Sequence, residues 1–370
     1  MSFIKTKKYI GANTFSHQEK DKIGVLITNL GTPEAPTTKA VRSYLTEFLH
    51  DPRIVEIPRL LWLLILHGFI LRVRPKRSAK AYKSVWGNKG SPLMFHTQDQ
   101  CTALSKALKE QWGDQIQVEF AMRYGTPAIS SALQKLADDG VRKLLVLPLY
   151  PQYASSTIGS TFDALSQDYT KRRWLPQLRF ISGYHDSPLY INALAESVQN
   201  YWAEHGKADK LILSYHGLPE QTLTDGDPYF CQCHATTRHL VNVLGLKEGE
   251  YLTTFQSRVG RAEWLKPYTD HTMKSLPGQG VKSIQVICPG FSADCLETIE
   301  EIEVENRDYF LESGGDKYAY IPALNATESH INALSSLVSD NLAGWNLPQK
   351  ADYTERQAAY LAQKGQYSPD

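Results

Sequence analysis

Ile287-Cys288-Pro289-Gly290-Phe291-Ser292-Ala293-Asp294-Cys295-Leu296-Glu297-Thr298-Ile299-Glu300-Glu301-Ile302-Glu303-Val304-Glu305 holds the transition on which the fold turns. It begins as the tail of an apolar strand over 283–288, which Pro289 and Gly290 break. A helix is expected to open near Asp294, whose carboxylate can accept from the free N–H groups of a first turn. Leu296, Ile299, Ile302 and Phe310 make one apolar stripe at helical spacing. Glu297, Glu301 and Glu305 fall at i, i+4 and i+8 on roughly the opposite side. Like charges so spaced cost about 0.2–0.5 kcal/mol per pair. Two readings follow. One is a solvated helix face, with Glu297 also favoured by the helix N-terminus. The other is a carboxylate ladder lining a cleft beyond the carboxyl end of a strand, where open α/β sheets bind ligands.

Working outward, strands alternate with helical stretches on both sides. Strands are expected over 22–30, 116–122, 143–149 and 178–181, then over 210–214, 251–256, 283–288 and 318–321. Helices are expected over 38–49, 96–112, 129–138 and 161–172. A weak internal repeat links the halves. Phe120-Ala-Met-Arg123-Tyr-Gly125 resembles Phe255-Gln-Ser-Arg258-Val-Gly260, and Gly140-Val141-Arg142 resembles Gly280-Val281-Lys282, each before an apolar strand. The chain therefore reads as α/β, with two similar Rossmann-like domains. Each carries a parallel sheet of about four strands flanked by helices, with a cleft between them. Their expected bounds are 22–182, completed by a C-terminal helix over 326–345, and 183–325. Segments 1–21 and 346–370 read as tails, and Lys5, Lys7 and Lys8 as a disordered basic start.

At 370 residues, with 42% hydrophobic and 21% charged content, two globular domains are the default. A net charge of +1 argues against a nucleic-acid partner. Five cysteines, Cys101, Cys231, Cys233, Cys288 and Cys295, suit a reducing compartment. No signal peptide is visible, so a cytoplasmic location is expected. The apolar run 60–71 is too short to span a bilayer, which takes about 20 residues. It is either a buried helix or an exposed lip that rests on a membrane or covers an oily ligand. The basic residues Arg72, Arg74, Lys76, Arg77 and Lys80 follow at once, as interfacial binding or anionic-ligand capture requires.

No G-x-G-x-x-G follows the first strand and no P-loop exists, so nucleotide binding is unsupported. No serine nucleophile elbow appears. Cys231-Gln232-Cys233-His234 is half of a zinc or iron–sulfur site at most. His216 closes a strand before Gly217, where a neutral imidazole can accept a proton or hold a metal. Taken alone, such a residue is more often a hydrogen-bonded structural histidine.

Leu-Ile-Thr-Asn-Leu-Gly-Thr-Pro-Glu (26–34), Leu-Tyr-Pro-Gln-Tyr-Ala-Ser-Ser-Thr (149–157), Ser-Tyr-His-Gly-Leu-Pro (214–219), Thr-Phe-Gln-Ser-Arg-Val-Gly (254–260), Glu-Trp-Leu-Lys-Pro (263–267) and Pro-Gly-Phe-Ser-Ala-Asp-Cys-Leu-Glu-Thr (289–298) together resemble the ferrochelatases. The resemblance covers about residues 22–340 and is nearest to the bacterial, cluster-free type. Members with an iron–sulfur cluster carry three cysteines in a C-terminal extension, whereas residues 296–370 here contain none.

The resemblance implies insertion of Fe(II) into protoporphyrin IX, with Fe(II) a substrate, no cofactor and no iron–sulfur cluster. By motif it assigns His216 as the active-site histidine and Glu297 as the essential carboxylate, both also metal ligands. Glu301 and Glu305 become a proton or metal path. Leu30, Ser91, Arg123, Tyr124, Tyr153, Trp264 and Phe291 become porphyrin contacts, with Lys76, Arg77 and Lys80 near the propionates. A monomer with peripheral contact at the inner membrane is expected. The rivals are a cobalt chelatase and a non-catalytic tetrapyrrole or metal binder.

Overall fold

β1 (Lys22–Gly31) is buried along nearly its whole length, which is the mark of a parallel strand covered on both faces. The computed structural model describes residues 9–11, 21–260, 262–345 and 350–364. In it β1 lies between β2 (Ile116–Tyr124) and β3 (Val141–Pro148), and β4 (Gln177–Phe180) flanks β3. The second half repeats this arrangement with β5 (Lys210–His216), β6 (Tyr251–Gln256), β7 (Ser283–Ile287) and β8 (Lys317–Ile321). The orders β2-β1-β3-β4 and β6-β5-β7-β8 are the same, and every pairing is parallel. The strands that carry the sequence repeat, β2 and β6, β3 and β7, occupy matching places.

The helices of the first half are α1 (Thr38–Leu49), α2 (Arg59–Ile65), α3 (Leu71–Val85), α4 (Pro92–Trp112), α5 (Ile129–Asp138) and α6 (Ser160–Tyr169). Those of the second are α7 (Pro188–His205), α8 (Glu220–Thr224), α9 (Tyr229–Leu244), α10 (Thr269–Ser275), α11 (Arg307–Glu312), α12 (Glu328–Asn341) and α13 (Lys350–Lys364). Because side chains alternate along a strand, β1 sends Ile23, Val25 and Ile27 to one core and Leu26 to another. The first of these cores also takes Leu211, Leu213 and Tyr215 of β5 and the apolar faces of α4, α7, α9 and α12. The inner faces of both sheets thus meet one helical layer, and a continuous core joins the two lobes.

The structure differs from the sequence reading in helix type. Glu297–Asn306 is a π-helix with Leu296 at its N-cap, not an α-helix opening at Asp294. Side chains fill carbonyls along its wide turns: Asn306 Nδ2 donates to Glu301 O at 2.8 Å and Tyr318 Oη to Ile302 O at 2.5 Å. Asp294 is instead a buried acceptor. Its carboxylate takes Thr298 Oγ1 at 3.0 Å, Tyr320 Oη at 2.7 Å and Asn325 Nδ2 at 2.8 Å. Leu66–Ile70 and Ser155–Gly159 are also π-helical, a rare form concentrated at functional sites. The stretch 60–71 is the exposed lip: Leu60, Leu64 and Phe69 are 82%, 75% and 66% exposed. Trp62 anchors it from below by donating Nε1 to Leu49 O at 2.7 Å. Lys5, Lys7, Lys8 and part of the 346–370 tail lie outside the described residues.

Candidate active site

The residues singled out in the sequence gather at the carboxyl ends of the strands, where open α/β sheets place their ligands. Leu30 and Gly31 end β1, Arg123 and Tyr124 end β2, Tyr150 and Tyr153 follow β3, and His216 ends β5. Gln256 ends β6, and Phe291 follows β7. Gly31 has φ of +114° and a side chain there would meet Tyr124 O at 1.9 Å, so the β1 and β2 ends are closely apposed.

His216 is half-buried and its Nδ1 lies 2.7 Å from Gly217 O. A carbonyl only accepts, so Nδ1 carries the proton and a neutral ring keeps a lone pair on Nε2. Phe291 stands 6.4 Å from the imidazole, centroid to centroid. A side chain at Gly217 would meet Gln256 O at 2.7 Å and Trp264 Cε3 at 3.2 Å, so only glycine lets Trp264 pack beside the histidine. Trp264 Nε1 is buried without a hydrogen-bond partner among the described residues, as is Tyr150 Oη. Buried orphan donors are rare in folded proteins.

Gln256 joins the histidine to the carboxylates. It pairs with His216 across β5 and β6, and its Nε2 donates to Glu297 O at 3.1 Å. Glu297 opens the π-helix and is half-buried. Its charge bears on Tyr44, Tyr82, Tyr150 and Arg74, all from the first lobe. Burial, then that carboxylate among other groups, pushes the Tyr82 phenol up. Arg74 is lowered by burial first and by Arg77 next, with Glu297 pulling the other way.

Glu301 is held by Ser257, whose N–H and hydroxyl donate to its two oxygens at 2.6 and 2.5 Å. Ser257 adopts φ of +66° to do so, a strained position for a residue other than glycine. Burial raises the Glu301 carboxyl to about 7; the Ser257 bonds oppose this, and the charges of Glu297 and Glu305 reinforce it. Glu300 is likewise raised, by burial first and Glu305 next. Glu305 is exposed and accepts from Tyr309 Oη at 2.7 Å. The glutamates therefore run from a half-buried to an exposed position, with a carboxyl titrating near neutrality between them. The line is graded in burial and is not uniformly solvated.

Arg123 and Tyr124 are engaged internally. Arg123 donates to Asp51 Oδ2 at 2.5 Å and to Ser160 Oγ at 2.7 Å, and the fully buried Tyr124 donates to Asp51 at 2.8 Å. Burial would raise Asp51, but hydrogen bonds from Ser160, Arg53 N–H and Tyr124, with the Arg123 charge, hold it below its usual range. Ser91 is buried and accepts from Thr32 Oγ1 at 2.7 Å. Leu30 packs with Phe291, Leu93 and Cys295 where the lobes meet. Tyr153 is half-buried and its N–H donates to Gln232 Oε1 at 2.6 Å. Lys76, Arg77 and Lys80 are exposed on α3, whereas Arg74 is half-buried and feels the Glu297 charge. Tyr44 and Tyr82 gave no sequence signal. Ser257 and Gln256 lay inside a quoted motif without being singled out. Cys231 is exposed and Cys233 buried on α9, as residues two apart on a helix must diverge.

The ferrochelatase family model matches residues 22–342. Ferrochelatase of Idiomarina loihiensis is 62% identical over 358 residues, covering 95% of this chain and 98% of its own. That of Marinobacter nauticus is 60% identical, covering 96% of each. Among solved structures, DR2241 of Deinococcus radiodurans, a multi-domain protein with structural similarity to chelatases, aligns with a TM-score of 0.50 at 10% identity. The alignment covers 92% of this chain and 60% of that one.

Proposed function

This chain belongs to the ferrochelatase family, and we propose that His216 and Glu297, backed by Glu301 and Glu305, carry its reaction. The enzyme inserts Fe(II) into protoporphyrin IX and releases two protons, the closing step of haem synthesis. The observation that carries the assignment of roles is the graded carboxylate line, linked through Gln256 to a histidine whose Nε2 has no hydrogen-bond partner among the described residues.

A flat porphyrin keeps its nitrogen lone pairs in the ring plane, so metal entry is helped by bending the macrocycle. Leu30, Phe291 and Trp264 supply walls from both lobes for that bend, which draws roughly 1–5 kcal/mol of strain from binding. His216 Nε2 accepts a pyrrole proton or weakly holds the metal. Glu297 takes the proton or the hydrated Fe(II), since carboxylate oxygens hold Fe(II) without trapping it as thiolates would. Glu301, titrating near 7, exchanges protons at neutral pH and hands them toward exposed Glu305.

The chain works without an iron–sulfur cluster; the absence of cysteine after Cys295 supports this. It acts as a monomer at the cytoplasmic face of the inner membrane, with the lip formed by Leu60, Leu61, Leu64, Ile65 and Phe69 against lipid. Their exposure supports that contact, and among the described residues no helix is long and apolar enough to cross a membrane.

The test is anaerobic incubation of purified protein with protoporphyrin and Fe(II), followed by the porphyrin spectrum. Wild-type protein should convert the spectrum to that of haem, and His216→Ala should bind porphyrin without converting it. Conversion at the wild-type rate by His216→Ala would remove the histidine from the reaction. A passive binder would leave the spectrum of the free-base porphyrin in both.

A further inference from the structure

Outside the cleft, two histidines face each other where α1 meets the lip. His50 follows α1, and His67 sits on the π-helical turn Leu66–Ile70. Their Nε2 atoms are 3.2 Å apart and their rings meet at 62°. His50 Nδ1 lies 2.5 Å from Thr46 O. That carbonyl only accepts, so it fixes the proton on Nδ1 and leaves the Nε2 lone pair pointing at His67. A backbone carbonyl on the far nitrogen is the usual support of a metal-ligating histidine, since it sets the tautomer and the ring orientation.

The spacing is that of a metal bite. Two imidazole nitrogens, each about 2.0–2.1 Å from one ion, stand about 2.9 Å apart at a right angle and about 3.4 Å at a tetrahedral angle. The observed separation lies between these. Local charge favours a cation too. His50 shares a hollow of about 250 Å³ with Glu47, Asp51, Asp163 and Arg123. Arg123 is paired with Asp51 and Asp163 with Arg53. Glu47, which accepts from Gly125 N–H at 2.8 Å, has no cationic partner among the described residues.

We propose that His50 and His67 form a surface site for a borderline divalent cation, of the class that includes Zn(II), Ni(II) and Fe(II). Imidazole suits such ions better than it suits Mg(II) or Ca(II). Among the described residues no third His, Cys, Asp or Glu completes a ligand set, so water fills the other positions and the bound ion exchanges readily. An ion there ties the end of α1 to the lip. Protons compete for the same lone pairs, so affinity falls as the solution is acidified.

Calorimetric titration of the full, tag-free chain with Zn(II) alone, at neutral pH, tests this against a simple His–His hydrogen bond. The variants are His67→Gln, on an exposed turn and able to keep a hydrogen bond, and His50→Ala with His67→Gln. Beside any ion taken by His216 and Glu297, which the variants retain, wild-type protein should bind one further equivalent that both variants bind at least about tenfold more weakly, the loss that even outer-shell changes bring. In parallel, sub-stoichiometric Ni(II) should broaden the ring proton signals of His50 and His67. Equal Zn(II) stoichiometry and affinity in wild type and variants, or broadening confined to other histidines, would overturn the proposal. Thermal melts of the three proteins confirm equal folding.

Discussion

At the residue scale, the positions of His216, at the end of β5, and of Glu297, at the head of the helix after β7, were legible because each lies inside a distinctive motif that follows a strand. Their supports were not. The Gly217 carbonyl that sets the His216 tautomer, and the Ser257 clamp on Glu301, are backbone and long-range facts with no local pattern. Arg74 lay in a basic run whose members differ only in which side of α3 they take. If His216 handles pyrrole protons, His216→Ala should lower turnover by about 100- to 10,000-fold with porphyrin still bound. Glu301 gives a second expectation. Its carboxyl stands at about 7 against an ordinary 4.5. The folded chain therefore keeps a proton that the unfolded chain loses between those values. Stability from this group is greatest below that window and is lost as pH rises through it, by roughly 3 kcal/mol. Glu301→Gln should remove that slope, so that its melting temperature exceeds the wild type's at pH 8. Parallel pH profiles of melting temperature for the two proteins would refute the buried carboxyl.

Helix periodicity located the elements but not their kind. The stripe of Leu296, Ile299, Ile302 and Phe310 follows α spacing, whereas the π-helix buries Thr298, Ile302 and Asn306, four apart, and leaves Ile299 half-buried. The π form depends on Asn306 and Tyr318 reaching the carbonyls of Glu301 and Ile302, contacts that periodicity does not encode. The lip shows the same limit. Its composition left buried helix and exposed lip open, and what decides is Trp62 and Leu66 filling the core while Leu60, Leu64 and Phe69 face out. Leu64→Asp with Phe69→Asp should leave the melting temperature within a few degrees of wild type and weaken binding to anionic liposomes. Trp62→Ala should cost about 3–5 kcal/mol by emptying a packed site. A large loss of stability from the Asp pair would mean that the lip is core.

At the scale of the whole molecule, the alternation of strands and helices, together with two short repeats, foretold two matching parallel sheets. The sequence did not show that α4, α7, α9 and α12 form one layer between them, because that layer is assembled from segments more than 200 residues apart. Glu297 is where the two lobes are coupled electrostatically. The π-helix of the second lobe sets its charge within electrostatic reach of Tyr44, Tyr82 and Arg74 of the first, while Gln256 ties its backbone to the strand that pairs with His216. The most direct measurement is therefore turnover of Glu297→Gln, beside Glu305→Gln and wild type, with Fe(II) and protoporphyrin under anaerobic conditions. Equal folding is set by thermal melts. Removing charge at Glu297 while keeping its shape should lower turnover by about 100-fold or more with porphyrin bound, whereas exposed Glu305→Gln should cost far less. Full activity in Glu297→Gln, with a small gain in stability from relieved repulsion, would show that these glutamates are only a solvated helix face.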